Sequence, residues 1–457
     1  MTDDLLAHNG HLAQVLGLHV GHFTHPDRPT GCSVVLCPQG ATAGVDVRGA
    51  APGTRETDLL HPSHLVQHVH GITLAGGSAW GLDAASGTAR WLEEHGAGLD
   101  IGVGRLPLVP AAVLFDLTVG DMRIRPDAAA GYAACQAASQ STRHERPAEG
   151  SVGAGAGALV GKIFGFDRAM QGGIGTASFT VHGVTVGALI ACNAVGDVYH
   201  PRSGQLLAGC RSSDGRQLLG ARDALLQGHA PQSLLAGSNT TIGVVATDMA
   251  LTKAQAQRLA TVGHDGLARA INPVHTMSDG DTLFALGTGQ APRALDLMTL
   301  FTLAAEAVAI ATARAVLPAY FADCEARVGL RVRYDLRFPD PSPHYPVSGA
   351  DLRLVPTAST HTPGQAHSAT LLPACHATGD CAARHRAAPL TADVSADRRA
   401  TACCPEHHRP AAASRRPAPL GRTAAGSAGE PRRIRLARPA AASGHQEACS
   451  FPTAGAS

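Results

Sequence analysis

The chain has 457 residues, 44% of them hydrophobic and 4% aromatic, with a formal net charge of +1. That length provides for one large domain or two ordinary ones, and the near-neutral balance excludes a global field directed at nucleic acid or an anionic membrane surface. All but two of the 37 basic residues are arginine, the exceptions being Lys162 and Lys253, and the 11 cysteines include no C-x-x-C pair.

Cys32, Cys37, Cys135, Cys192 and Cys210 stand among apolar or small neighbours and read as reduced packing residues. The opening Met1-Thr2-Asp3-Asp4 lacks a basic-then-apolar leader, which argues for a cytoplasmic rather than a secreted protein. No apolar run reads as long enough to span a membrane.

Taken in order, residues 15–60 read as short strands and turns, with Val34-Val35-Leu36 a strand. The charged loops at Asp46-Val47-Arg48-Gly49 and Pro52 to Asp58 are of the kind that lines sites, or that simply pairs charges at a surface. Residues 72–95 read as a strand, a small-residue turn at Gly76-Gly77-Ser78, and a helix from about Ala79 to His95. Ala112 to Leu117 reads as a buried strand, and Asp127 to Ala138 as a helix carrying Tyr132.

The run Gly150 to Lys162 fails the phosphate-loop pattern at both ends and meets a dinucleotide fingerprint only loosely, so nucleotide binding is not expected. Lys162 is either a surface residue of a flexible loop or a compact buried cation placed for use. Val181 to Val198 reads as two strands around Gly183, and Asn193 interrupts their apolar run. A buried amide there is hydrogen-bonded structurally or held for chemistry. Residues 200–237 read as an exposed loop with a marginal helix.

Ser238-Asn239-Thr240-Thr241 then leads into Ile242 to Asp248, a buried strand. The four polar residues form a turn feeding the strand, or the Asn239–Thr240 bond is cut by the protein itself. In the second case Thr240 becomes an N-terminus with a hydroxyl nucleophile and its own amine base. Thr252 to Gln255 has capping-box form ahead of a helix at Ala256, Leu259, Ala260, Gly263, Leu267 and Ala270. Asp279-Gly280-Asp281 is a turn, or two carboxylates on one side that hold a cation or share a proton. Asp296 to Leu317 reads as a long amphipathic helix. Residues 339–457, rich in Pro, Ala, Arg, His and Ser, read as a disordered low-complexity tail, with no spacing that suits a zinc site.

Several of these stretches, in this order, resemble the DmpA-type L-aminopeptidase/D-esterase family, which includes β-aminopeptidases and the nylon-oligomer endo-hydrolase. They are Gly44 to Gly49 with Ala51 to Asp58, Ala75 to Ala79, Val109 to Val113, Gly150 to Gly155, Gly161-Lys162 and Asn239-Thr240-Thr241. The resemblance covers roughly residues 15–337 and implies an α+β chain, a four-layer αββα sandwich self-cleaved between 1–239 and 240–338 and assembled into tetramers. It implies Thr240 as nucleophile, Lys162 and Asn193 as polar site residues, Asn193 with Tyr132 as carbonyl-polarising groups, and Asp279 and Asp281 as the pair that positions Lys162 and the amine. Asn-Thr and the two aspartates resemble the nylon-hydrolase branch.

The function so implied is hydrolysis of short peptides or amino-acid amides, ω-amino-acid oligomers among them, with no cofactor, metal, nucleic-acid or membrane partner. An acyl transferase of the ornithine acetyltransferase type is the alternative within the same chemistry. A non-catalytic glycine-rich binding protein is the alternative outside it.

Overall fold

The structure is a computed structural model that describes Leu5, residues 7–232 and residues 237–328, with side chains to residue 323. The tail expected over 339–457 lies outside the described residues. Nine strands form one mixed sheet. We label β1 His19–Thr24, β2 Gly31–Val47, β3 His68–Ala75, β4 Ala111–Val113, β5 Gly173–Val181, β6 Val184–Asn193, β7 Thr240–Thr247 and β8 Thr282–Gly287. The order is β5-β6-β7-β8-β2-β3-β4, with Thr54–Arg55 beyond β4 and β1 on the free side of β2. β5 and β6 form a hairpin about His182 and Gly183, at φ 51° and 80°. Two adjacent positive φ values give the turn whose twist matches the paired strands.

β2 is 17 residues long, and its pairing with β3 breaks register between Leu36 and Ala41. Its first half pairs with β1 and β3, and its second half with β8 and the first residues of β3. The side chains alternate between two faces, as strand geometry requires. Val35, Ile72, Leu74 and Ala112 share one core with Leu189, Ala191, Ile242, Val244, Phe284 and Leu286. The two halves of the sheet therefore face each other across that core.

The alternate residues face outward. Ala188, Ile190, Val245, Leu283 and Ala285 pack under helices α3 (Lys253–Ala270) and α4 (Leu297–Ala315). Val34, Leu36, Ala75, Ala111 and Val113 pack under α1 (Ala84–Glu94) and α2 (Ala128–Gln140). The chain is thus α+β, with helices, sheet, sheet and helices in four layers. Each fully buried Leu, Ile or Phe adds about 1.5–3 kcal/mol to this stack.

Local chemistry explains where elements begin and end. Thr252 caps α3 with both bonds of the capping box, to and from Gln255. Asp127 caps α2 and accepts from Ala130 N at 2.9 Å. The helix expected from Ala79 begins instead as a 3-10 turn, Ser78–Asp83, after positive φ at Gly77 and Ser78. The strand expected to reach Leu117 ends at Val113, because Asp116 turns into a buried pair with Arg28, Nη2 to Oδ1 3.0 Å.

The segment expected to be exposed after residue 200 contains a strand, Leu206–Ala208, and a short helix, Ala221–Leu226, with Leu207, Cys210, Ala221 and Ala224 buried. Buried Asp197 accepts from Cys210 N and Ala221 N and holds this segment down. Leu297–Asp323 is long and apolar enough to cross a membrane by length and composition, contrary to the sequence reading, with mean hydropathy 1.7. In the fold, α4 is buried along most of its length against α3, β5 and β6, as expected of an internal helix apolar on all sides.

Candidate active site

The site lies where β6 ends and β7 and β8 begin. Antiparallel pairing sets Asn193 opposite Thr240, and parallel pairing sets Thr282 opposite Ile242. A further parallel bridge joins Asn239 to Asp279, so the pairing of β7 with β8 continues back past Thr240. This register brings together five of the residues singled out in the sequence, Thr240, Asn193, Asp279, Asp281 and, from the loop after Val160, Lys162. All five are buried, Lys162 completely.

The Thr240 hydroxyl donates to the carbonyl oxygen of Asn239, the residue before it. That oxygen also accepts from Gly280 N at 2.9 Å. One carbonyl thus carries a hydroxyl on one side and a fixed N–H donor on the other. A Cβ at Gly280 would stand 2.9 Å from Thr240 Oγ1 and 2.6 Å from the Ala51 carbonyl, so the approach requires glycine.

Lys162 Nζ donates to the Asn193 main-chain and side-chain oxygens, each at 2.8 Å, and to Ser238 O at 3.2 Å. Burial lowers its pKa to about 7, and Asp279, Cys192 and Asp281 act in the opposite direction. Neither aspartate bonds it directly; both act on it through space.

Asp281 Oδ1 accepts from Thr241 N at 2.6 Å, while its Oδ2 accepts from His275 N and Nδ1. Asp279 accepts from Thr276 N and Oγ1 at 2.8 and 2.6 Å. Burial, followed by the charge of Asp281, holds the Asp279 carboxyl above the usual range. The two carboxylates therefore serve different partners rather than one shared proton.

Two residues stand differently from the roles implied by the resemblance. The Asn193 amide donates to Phe115 O at 3.0 Å, and its oxygen accepts from Leu159 N and Lys162 Nζ. Its side chain holds the lysine and points no donor at the Asn239 carbonyl; Gly280 N occupies that place. Tyr132 sits on α2 in the outer helical layer, where its hydroxyl donates to Glu94 at 2.6 Å and Arg90 lies 4.7 Å over its ring. It is not brought to the cluster. Gly280, Ser238, His275 and Thr276 are site neighbours that sequence reasoning missed. The only signal for His275 and Thr276 is that a histidine and a threonine stand within six residues of the aspartate pair. Among the described residues no group of three His, Cys, Asp or Glu side chains is arranged to hold a metal ion.

Comparison with known proteins gives the class: the chain is a hydrolase of peptide or amide bonds. It belongs to peptidase family S58, whose model matches residues 10–328. The resemblance in the loop motifs thus agrees with the family. The chain is 45% identical over 332 residues to an uncharacterized aminopeptidase of Mycobacterium tuberculosis, covering 67% of this chain and 92% of the relative. It is 32% identical over 279 residues to a 6-aminohexanoate-oligomer endohydrolase of Paenarthrobacter ureafaciens, covering 60% and 74%. A solved Burkholderia sp. beta-aminopeptidase aligns with a TM-score of 0.48 at 23% identity, covering 69% of this chain and 91% of that one.

Proposed function

We propose that the chain cuts its own Asn239–Thr240 bond and then hydrolyses short peptides or amino-acid amides through an ester on Thr240. The observation that carries this reading is the Asn239 carbonyl, which meets the Thr240 hydroxyl and the Gly280 N–H together in a buried place. In the precursor, Thr240 Oγ adds to the Asn239 carbonyl carbon while the Gly280 N–H stabilises the developing oxyanion. One such donor is typically worth ~3–4 kcal/mol. Lys162 in its neutral form takes the hydroxyl proton. Collapse breaks the C–N bond as the Thr240 nitrogen is protonated, leaving an Asn239 ester on Thr240. Water hydrolyses the ester to an Asn239 carboxylate and a free Thr240 amine.

That amine, with an ordinary pKa of about 7.7–8.0, is the base for later turnovers. Substrate carbonyls take the place of the Asn239 carbonyl. The relatives named as an aminopeptidase and as a 6-aminohexanoate-oligomer endohydrolase support amino-acid amides and ω-amino-acid oligomers as the substrates to test.

The test is a denaturing gel followed by intact mass. Wild type is expected to give fragments 1–239 and 240 onward and to hydrolyse amide substrates. Thr240→Ala is expected to remain one inactive chain, and normal cutting in that variant overturns the assignment.

A further inference from the structure

We propose that His275 is a positioning residue for the nucleophile: it clamps Asp281 so that the carboxylate holds the strand beginning at Thr240. This inference rests on the proposed role of Thr240. Three observations carry it. First, Asp281 is a bridge. Its Oδ1 accepts from Thr241 N at 2.6 Å, one residue beyond the nucleophile, and its Oδ2 accepts from His275. A carboxylate held at one oxygen only is free to rotate about its bond to Cβ; held at both, it is fixed.

Second, His275 contacts that oxygen twice, through its main-chain N at 3.2 Å and its ring Nδ1 at 2.8 Å. The accepting carboxylate assigns the proton to Nδ1. To present both donors at once, His275 adopts φ 57°, a left-handed conformation that only a few per cent of non-glycine residues take. Strain of this kind persists only where the surroundings over-determine it.

Third, the ring is braced. It meets His264 of α3 edge-on, with centroids 4.8 Å apart and planes at 70°. His264 is itself fixed by Nε2 donating to Asp46 O at 3.0 Å, at the end of β2. The clamp thus ties the nucleophile strand to β2 and α3 through Asp281, His275 and His264.

Three variants separate the Nδ1 donor from the backbone strain. His275→Gly relieves the left-handed φ and removes the donor. His275→Ala removes the donor and keeps the strain. His275→Asn offers an amide N–H near the place of Nδ1 and tolerates the left-handed region. The readouts are the time course of self-cleavage, kcat and KM on an amide substrate, and hydrogen exchange at the Thr241 amide.

We expect Ala and Gly to lower the cleavage rate and kcat by roughly 10-fold to 100-fold, with KM little changed and Thr241 exchange accelerated. Asn is expected to restore most of each. If Gly performs as well as Asn, the ring serves only the backbone and the inference fails. It fails equally if Ala leaves Thr241 exchange and kcat at wild-type values. Should wild type neither cut nor hydrolyse, the proposed function is wrong, yet Thr241 exchange in the three variants still decides whether His275 is a clamp.

Discussion

The chain contains two lysines, and both are buried among backbone carbonyls. Lys162 is held by Asn193 and Ser238, and Lys253 by the carbonyls of Leu59, His64 and Val66 at 2.9–3.0 Å. A compact ammonium fits such cages where a guanidinium fork does not. Because burial lowers Lys162 to about 7, its neutral form dominates above that pH. The rate of self-cleavage is expected to rise with pH through about 7 and then level off; an unchanged rate from pH 5.5 to 8.5 refutes Lys162 as the proton acceptor.

The same shift has a sign for stability. Between about 7 and the ordinary lysine value of about 10.4 the unfolded chain binds a proton that the folded chain does not. This group therefore adds stability as pH rises across that window, and urea midpoints at pH 7 and pH 9 should differ less in Lys162→Met than in wild type. Gly280→Ala is expected to slow cutting by about 10²–10³-fold, since its Cβ forces the oxyanion donor away from the Asn239 carbonyl. A wild-type time course in that variant removes the donor from the mechanism.

Lys162 and Asn193 were legible at this scale because each interrupts a small-residue or apolar run with a polar group, and Thr240 because it stands at the mouth of an apolar strand, whereas Asp279 and Asp281 read as a turn and were singled out by the family resemblance. Gly280 was not, since its contribution is a main-chain N–H, and His275 was not, since its contribution depends on a φ that periodicity does not encode. The role implied for Tyr132 rested on a local motif, and the fold of α2 directs that hydroxyl to Glu94.

At the scale of elements, the most informative boundary is the start of β7 at Thr240. Pairing to β6 on one side and β8 on the other fixes Thr240 and the residues after it between two neighbours. α3 leaves β7 and returns to the parallel β8, as a crossover must. Its N-terminus was legible from Thr252 and Gln255, and Thr252→Ala is expected to destabilise the protein by about 1 kcal/mol. That loss would appear as a lower urea midpoint with an unchanged slope. The length of β2 was not legible, because it depends on how the backbone passes Pro38 and Gly40 (φ 88°), which read as a strand end and instead mark its register break. The 3-10 opening of the helix at Ser78 was hidden for a similar reason: it follows from the positive φ at Gly77 and Ser78.

Over the whole molecule, alternation within the strands implied buried faces, but which faces meet is set by how β2 divides its pairing between β1 and β3 at one end and β8 at the other. No local window contains that information. Phe284 lies in the core between the two sheet layers, fully buried. Phe284→Ala is expected to lower stability by about 3–5 kcal/mol. The layers also bear on what self-cleavage does to the protein. A cut before Thr240 leaves β7 paired with both neighbours, so the two pieces should co-elute on a sizing column and separate only in denaturant. Under the proposed chemistry, cutting would free an amine inside an assembled core rather than release a fragment.

The most direct test is N-terminal sequencing of purified protein that hydrolyses amide substrates. The expected result is a second sequence, Thr-Thr-Ile-Gly-Val, beside that of the original start. Active protein that yields only its original N-terminus contradicts the proposed chemistry.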